Sequence, residues 1–261
     1  MIRTRHYEVF SSHGQKLGEG VSEARALARA YLPSLTVGLL THTFLMVRIK
    51  ICGLTNLADA RAAIAAGADM LGFNFYRPSP RFIKPQDART MIETLREEIK
   101  ALPRTVTMVG VFVNEPAESI VRIAEEAGVA AIQLHGDESV EFCQRLNALL
   151  PDRFLIKAIR ACGEGVPERA AEYKVDAIML DAFDAELRGG TGRTIDRNLA
   201  RHTREAVSRL FLAGGLSPEN VREAIDAVMP YAVDACSALE SSPGRKDAER
   251  MNEFVRAVRN G

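Results

Sequence analysis

From Arg48 onward, short apolar runs rich in β-branched residues alternate with longer stretches whose apolar residues recur at helical spacing. Continuous apolar runs suit strands buried on both faces, and their alternation with helical patterns argues for parallel βαβ units. Strands are expected at Arg48–Cys52, Met70–Phe75, Thr107–Val113, Ala131–His135, Phe154–Ile159, Ala177–Asp181, Leu210–Ala213 and Ala232–Cys236. Between and after them lie the helical patterns LADARAAIAAGA, PQDARTMIETLREEI, PAESIVRIAEEAGV, SVEFCQRLNALL, GVPERAAEYK, IDRNLARHTREAVSR, SPENVREAIDAVM and DAERMNEFVRAVRN. Pro85, Pro116 and Pro218 suit a first helical turn, where a missing N–H costs nothing. Gly67 and Gly128 follow helical runs and can take the left-handed conformation that ends them.

Eight strand–helix repeats predict an α/β fold, a (β/α)8 barrel in a single domain. An open doubly wound sheet is the alternative, and the regular repeats without a clear dinucleotide fingerprint favour closure. Residues 1–45 stand outside the pattern: they hold the helix-like SEARALARAYL and a mixed RTRHYEVFSSHG start with no obvious partner. Because Met46 immediately precedes the first strand, residues 1–45 read as an N-terminal extension, disordered or an overextended start, and residues 46–261 as the barrel.

Charge removes several classes of function. Lys plus Arg and Asp plus Glu both number 34, so no global field invites nucleic acid or an anionic membrane, and any phosphate must be bound locally. The apolar stretch Tyr31–Val47 is broken by Pro33, Gly38 and His42, falls short of a membrane span and lacks a convincing signal cleavage site. The four cysteines, at 52, 143, 162 and 236, form no CxxC pair, so a reducing, cytoplasmic setting is the simplest.

In such a barrel the reactive groups stand at the C-terminal ends of the strands. The first strand ends in Cys52, the second in Asn74 with Arg81 in the following loop, the fourth in Gln133 and His135 and the sixth in Asp181. A thiol can be poised as a base by a helix N-terminus or a cation, and a water-shielded carboxyl can act as an acid. One of each across a sugar phosphate is the equipment for a proton-transfer isomerisation. Taken alone, Cys52 could equally be a buried core thiol and Asp181 a helix cap or ion-pair member. Arg81 could clamp a carboxylate with its planar fork, and His135 could orient polar groups. Gly190 and Gly192 of GGTG, Gly214 and Gly215 of AGGL, and Ser237 in the last loop suit backbone approach to a phosphate. HGDE at 135–138 offers no second ligand at metal spacing, so no metal is expected.

With these residues in view, KICGLT, GFNFYRPSPRFI, VGVFVN, IQLHGDE, MLDAF with GGTGRTID, LAGGLSPENV and ESSPGRKD together resemble the phosphoribosylanthranilate isomerases of tryptophan biosynthesis, in order over residues 48–261. The resemblance implies an aldose–ketose isomerase that carries out an Amadori rearrangement of N-(5-phosphoribosyl)anthranilate without cofactor or metal, as monomer or homodimer. It also implies that Cys52 is the general base, Asp181 the general acid and Arg81 the contact to the anthranilate carboxylate, with the glycine loops on the phosphate. One departure is CSALE, where the family commonly has SSGVE: Ala238 and Leu239 put a Cβ where a positive φ would need glycine. It is taken as a tolerated variation. The rival readings are another sugar-phosphate barrel isomerase, such as the bifunctional enzyme shared between histidine and tryptophan synthesis, expected to carry aspartate in place of Cys52, and a catalytically silent phosphate-ligand barrel.

Overall fold

Period-two alternation along each strand sorts the side chains of this protein into two cores. A computed structural model describes residues 46–181 and 196–260, which fall within one compact unit. Eight parallel strands close into a barrel: β1 (Arg48–Ile51), β2 (Met70–Asn74), β3 (Thr107–Phe112), β4 (Ala131–Leu134), β5 (Phe154–Arg160), β6 (Ala177–Asp181), β7 (Leu210–Ala213) and β8 (Ala232–Ala235). The ring closes where β8 pairs with β1 in the register Arg48↔Ala232 to Ile51↔Ala235. Met70, Val109, Ala131, Ile156, Met179, Phe211 and Ala232 fill the lower interior as one apolar cluster. The alternate residues, among them Ile49, Leu71, Phe73, Ile132, Leu180 and Val233, face outward into a second and larger core beneath the helices. Continuing the inward parity upward from Lys50, Gly72, Gln133, Met179 and Asp234 leads to Cys52, Asn74, His135, Asp181 and Cys236. The interior therefore changes from apolar floor to polar mouth.

The helices are α1 (Leu57–Ala66), α2 (Pro85–Ile99), α3 (Ala117–Ala127), α4 (Val140–Leu149), α5 (Val166–Glu172), α6 (Arg197–Ala206), α7 (Val221–Val228) and α8 (Ala248–Arg259). Gly67 and Gly128 close α1 and α3 in the left-handed region. Pro85 opens α2 as expected. Pro116 instead caps α3 from outside, and Pro218 sits in a turn before α7. That turn is held by Asn220, whose Oδ1 accepts from Ser217 N at 2.9 Å and whose Nδ2 donates to Gly215 O at 3.0 Å, so the helix starts later than proline alone suggests.

The segment after β8 carries structure that its sequence does not announce. A 3-10 turn at Ser237–Leu239 leads into a short antiparallel pair, β9 (Glu240–Ser242) and β10 (Arg245–Lys246). Thr55 Oγ1 donates to Gly244 O at 2.6 Å and Lys246 N to Asp59 Oδ2 at 2.8 Å, tying this hairpin to the segment after β1. Among described non-glycine residues only Asn114 and Met229 have positive φ, so Ala238 and Leu239 are unstrained. Leu239 is fully buried in the outer core, which explains why a larger apolar residue is accepted there.

Candidate active site

At the seam between β1 and β8, Lys50 and Asp234 stand opposite one another inside the barrel, with Lys50 Nζ 2.8 Å from Asp234 Oδ1. Burial opposes charge on Lys50, but Asp234 and Cys52 outweigh it and raise the ammonium pKa above its ordinary value. Burial acts the other way on Asp234 and pushes its carboxyl up to about 6, against the pull of Lys50. One layer higher, Cys52 N donates to Ala235 O at 3.0 Å, bringing the buried Cys52 beside Cys236. The Cys236 thiol hydrogen-bonds the Cys52 sulfur and is the largest influence lowering its pKa; burial opposes this, and Lys50 adds charge and a further hydrogen bond. The same bond between the two sulfurs, with burial, holds the Cys236 pKa well above the ordinary range. Lys246 Nζ reaches Cys236 O at 3.0 Å, its Sγ at 3.8 Å and Glu240 Oε1 at 2.9 Å. Cys52 is thus the member of the thiol pair whose pKa is lowered, with the ammonium groups of Lys50 and Lys246 adding to the effect.

Room for the Cys52 sulfur is made by the neighbouring strand. A Cβ on Gly72 would lie 2.7 Å from Cys52 Sγ, so glycine there is what admits the thiol to the interior.

Arg81 lies across the same mouth. Its Nε and Nη2 donate to the two Glu240 carboxylate oxygens at 2.8 and 2.6 Å, and the pair raises the Arg81 pKa while lowering that of Glu240. Asn74 serves the loop that carries Arg81: its Oδ1 accepts from Tyr76 N at 2.9 Å, its Nδ2 donates to Ser79 Oγ at 3.2 Å, and Ser79 Oγ accepts from Arg81 N at 3.1 Å. Its carboxamide is therefore engaged in shaping the loop.

Opposite Cys52, His135 Nε2 is 2.9 Å from Asp181 Oδ2, and His135 Nδ1 is 2.8 Å from Gln133 Nε2. Burial opposes protonation of His135, but the bond to Asp181 and its charge prevail and raise the imidazole pKa. Gly214 and Gly215 both hold positive φ, 85° and 71°, in the clipped turn after β7, and Ser237 opens the 3-10 turn after β8. Gly190 and Gly192 lie outside the described residues, as does the 1–45 segment. Among the described residues, no three His, Cys, Asp or Glu side chains gather as a metal site, and no helix is long and apolar enough to cross a membrane.

A thiol with a lowered pKa, a His-bound carboxylate and a pair of positive-φ glycines thus stand at one mouth of the barrel. Residues 49–257 match the family model for N-(5'-phosphoribosyl)anthranilate (PRA) isomerase. The chain belongs to this family. PRA isomerases similar to it include those of Thermotoga neapolitana, 44% identical over 82% of this chain and 99% of that one, and Trichlorobacter lovleyi, 40% identical over 81% and 97%. Among solved structures, the PRA isomerase of Thermotoga maritima superposes with a TM-score of 0.74 at 42% identity, covering 83% of this chain and all of that one. Another, in complex with reduced 1-(o-carboxyphenylamino)-1-deoxyribulose 5-phosphate, superposes with a TM-score of 0.70 at 40% identity over the same shares. A 3-hexulose-6-phosphate synthase at 13% identity and a TM-score of 0.57 shares the fold alone.

Of the residues expected from sequence, the structure gathers Cys52, Arg81, His135, Asp181 and Ser237 with the Gly214–Gly215 turn at the strand ends of one PRA-isomerase barrel. Lys50, Asp234, Cys236, Glu240 and Lys246 were not anticipated. The available signal was a lysine and an aspartate inside otherwise apolar strands, RIKI and AVDA, at positions that parity turns inward.

Proposed function

We propose that this enzyme performs its family's reaction, the Amadori rearrangement of N-(5'-phosphoribosyl)anthranilate to 1-(2-carboxyphenylamino)-1-deoxyribulose 5-phosphate in tryptophan biosynthesis, with Cys52 as general base and Asp181 as general acid. The observation that carries this reading is a thiol held well below its usual pKa at the end of β1, with a carboxylate bound to histidine at the end of β6 in the same mouth. Asp181 delivers a proton to the furanose ring oxygen, and the anilino nitrogen's lone pair opens the ring to an iminium ion. Cys52 then removes the proton from C2, giving an enolamine that becomes the ketone when C1 is protonated and the enol O–H is lost. Two positioned proton carriers suffice, so the reading requires neither cofactor nor metal. A shared proton between His135 and Asp181 supports the acid role, because imidazolium–carboxylate and imidazole–carboxylic acid hold the same proton count. Glu240 takes the Nε–Nη2 edge of Arg81, leaving its Nη1 edge for the substrate carboxylate. The Gly214–Gly215 turn, with Gly190, Gly192 and Ser237, holds the phosphate. The reading places the enzyme in the cytoplasm, as monomer or homodimer, acting on a small phosphorylated molecule.

Following the fluorescence of enzymatically generated phosphoribosylanthranilate tests this directly. Wild type should consume it, while Cys52→Ala and Asp181→Asn should each lose roughly 100- to 10,000-fold in kcat. No turnover by wild type would sink the activity, and undiminished turnover in both variants would sink the roles.

A further inference from the structure

We propose that Gln133 is a positioning residue for this reaction: its carboxamide decides which ring nitrogen of His135 carries a proton, and so whether a proton stands ready for Asp181 to deliver. The proposal rests on the reading of Asp181 as the general acid. It starts from two contacts that join three side chains: Gln133 Nε2 at 2.8 Å from His135 Nδ1, and His135 Nε2 at 2.9 Å from Asp181 Oδ2. Gln133 is 1% exposed, one inward layer below His135 on the same strand, and its Oε1 has no hydrogen-bond partner among the described residues.

An amide nitrogen can only donate and an amide oxygen can only accept, whereas each imidazole nitrogen does one or the other according to its proton. With Gln133 Nε2 facing the ring, Nδ1 must be bare. The single ring proton of neutral His135 then sits on Nε2 and is donated to the Asp181 carboxylate. When His135 takes up a second proton, Nδ1–H would point at the Gln133 N–H, donor against donor. A half-turn of the carboxamide removes the clash by presenting Oε1, the oxygen that lacks a partner in the present arrangement. Gln133 thereby offers a matching group to both protonation states: a donor when the pair is spent, an acceptor when it is charged. In the charged state the Nε2 proton passes to the Asp181 carboxylate and on to the ring oxygen, leaving neutral His135 with its remaining proton on Nδ1 against Gln133 Oε1 until exchange with solvent returns it to Nε2 and the carboxamide turns back. Removal of a proton from the substrate by Cys52 and its return through solvent restore the count.

The charged neighbours of His135 fit a cation in its place. Asp181 on β6, Cys52 above β1 and Asp234 on β8 all favour the imidazolium. Lys50 is engaged by Asp234, and Lys157 on β5 is taken up by Glu138, at 2.8 Å, and by Gly136 O, at 2.7 Å.

Long-range 1H–15N spectra of ring-labelled histidine across pH test the inference without relying on turnover, the His135 signals being assigned by their absence in His135→Asn. Neutral His135 in wild type should carry its proton on Nε2; a proton on Nδ1 would overturn the proposal whatever any variant does. Gln133→Met should lower the His135 pKa and move the alkaline limb of kcat down, with kcat reduced on the order of tenfold to a hundredfold and KM little changed. Gln133→Glu places an anion beside Nδ1 and should move both upward. Unchanged tautomer, pKa and limb in a folded variant would refute the role. Should Asp181→Asn leave kcat intact while His135 still follows Gln133, the acid assignment fails and the control of the tautomer stands.

Discussion

The Cys52 sulfur has two polar neighbours that give it different things. Lys50 supplies charge from below, and Cys236 supplies a proton to share from the side, the larger of the two effects. Cys236→Ala removes the donor and leaves the burial, so the Cys52 pKa should rise and the ascending limb of kcat/KM should move to higher pH; Cys236→Ser, which keeps a donor, should move it less. The pH dependence of iodoacetamide trapping, localised to the Cys52 peptide by mass, checks this, and an unmoved profile in Cys236→Ala would show that the lysine charges, not Cys236, lower the thiol. At this scale the sequence shows Cys52 and Asp181 readily, because a reactive side chain at a strand end is conspicuous beside an apolar run. Cys236 is also at a strand end, yet it is followed by small residues and reads as part of a phosphate loop. Only the pairing of the first strand with the last brings its thiol onto Cys52.

Between elements, the most exacting contact is the Lys50–Asp234 pair that joins β1 to β8 in the dry interior. Lys50→Met leaves a carboxylate buried without its cation and should cost about 3–5 kcal/mol at neutral pH, while the double variant Lys50→Met with Asp234→Leu should recover most of the loss. The sign with pH follows from the carboxyl. Its folded value of about 6 lies above the unfolded value of ~3.9, so its contribution to stability is largest at low pH, where it is protonated, and declines as pH rises through that window. The raised Lys50 pKa acts in the same direction but at higher pH: its contribution is fully present below the unfolded lysine value of ~10.4 and is lost as pH rises toward the folded one. In Lys50→Met the deficit should therefore narrow on going from pH 8 to pH 5, as measured by urea unfolding; an equal deficit at both would mean that the carboxyl is not held charged. Strands and helices were legible because each is a local pattern with its own period. The pair was not, since a lysine in one strand and an aspartate in another become a unit only through the register of closure. Local reasoning also missed the start of α7, where the side chain of Asn220 overrides the proline cue.

At the scale of the molecule, the described residues form a closed barrel. Arg259 near the end of α8 reaches Val47 O and Asp69 Oδ2, both at 2.8 Å, fastening the last helix beneath the first strand. We propose that residues 46–261 are the catalytic unit, so a chain starting at Met46 should remain soluble and keep its kcat and KM. Insolubility or inactivity of that chain beside a working full-length protein would make the extension part of the fold. The barrel itself was legible at this scale from eight repeats, whereas the hairpin of β9 and β10 was not, being too short to carry a period.

The seam has a further consequence in time. Lys50 and Asp234 stand 184 positions apart, and Cys52 and Cys236 are separated by the same span. At ~5–20 residues per second of synthesis, Cys52 leaves the ribosome about ten to forty seconds before the groups that lower its pKa. During that interval Cys52 is an ordinary thiol, slow to react with electrophiles. The protein therefore arms its most reactive atom only when the last strand has been made and has found the first, and a truncated or unclosed chain carries no activated sulfur into the cell.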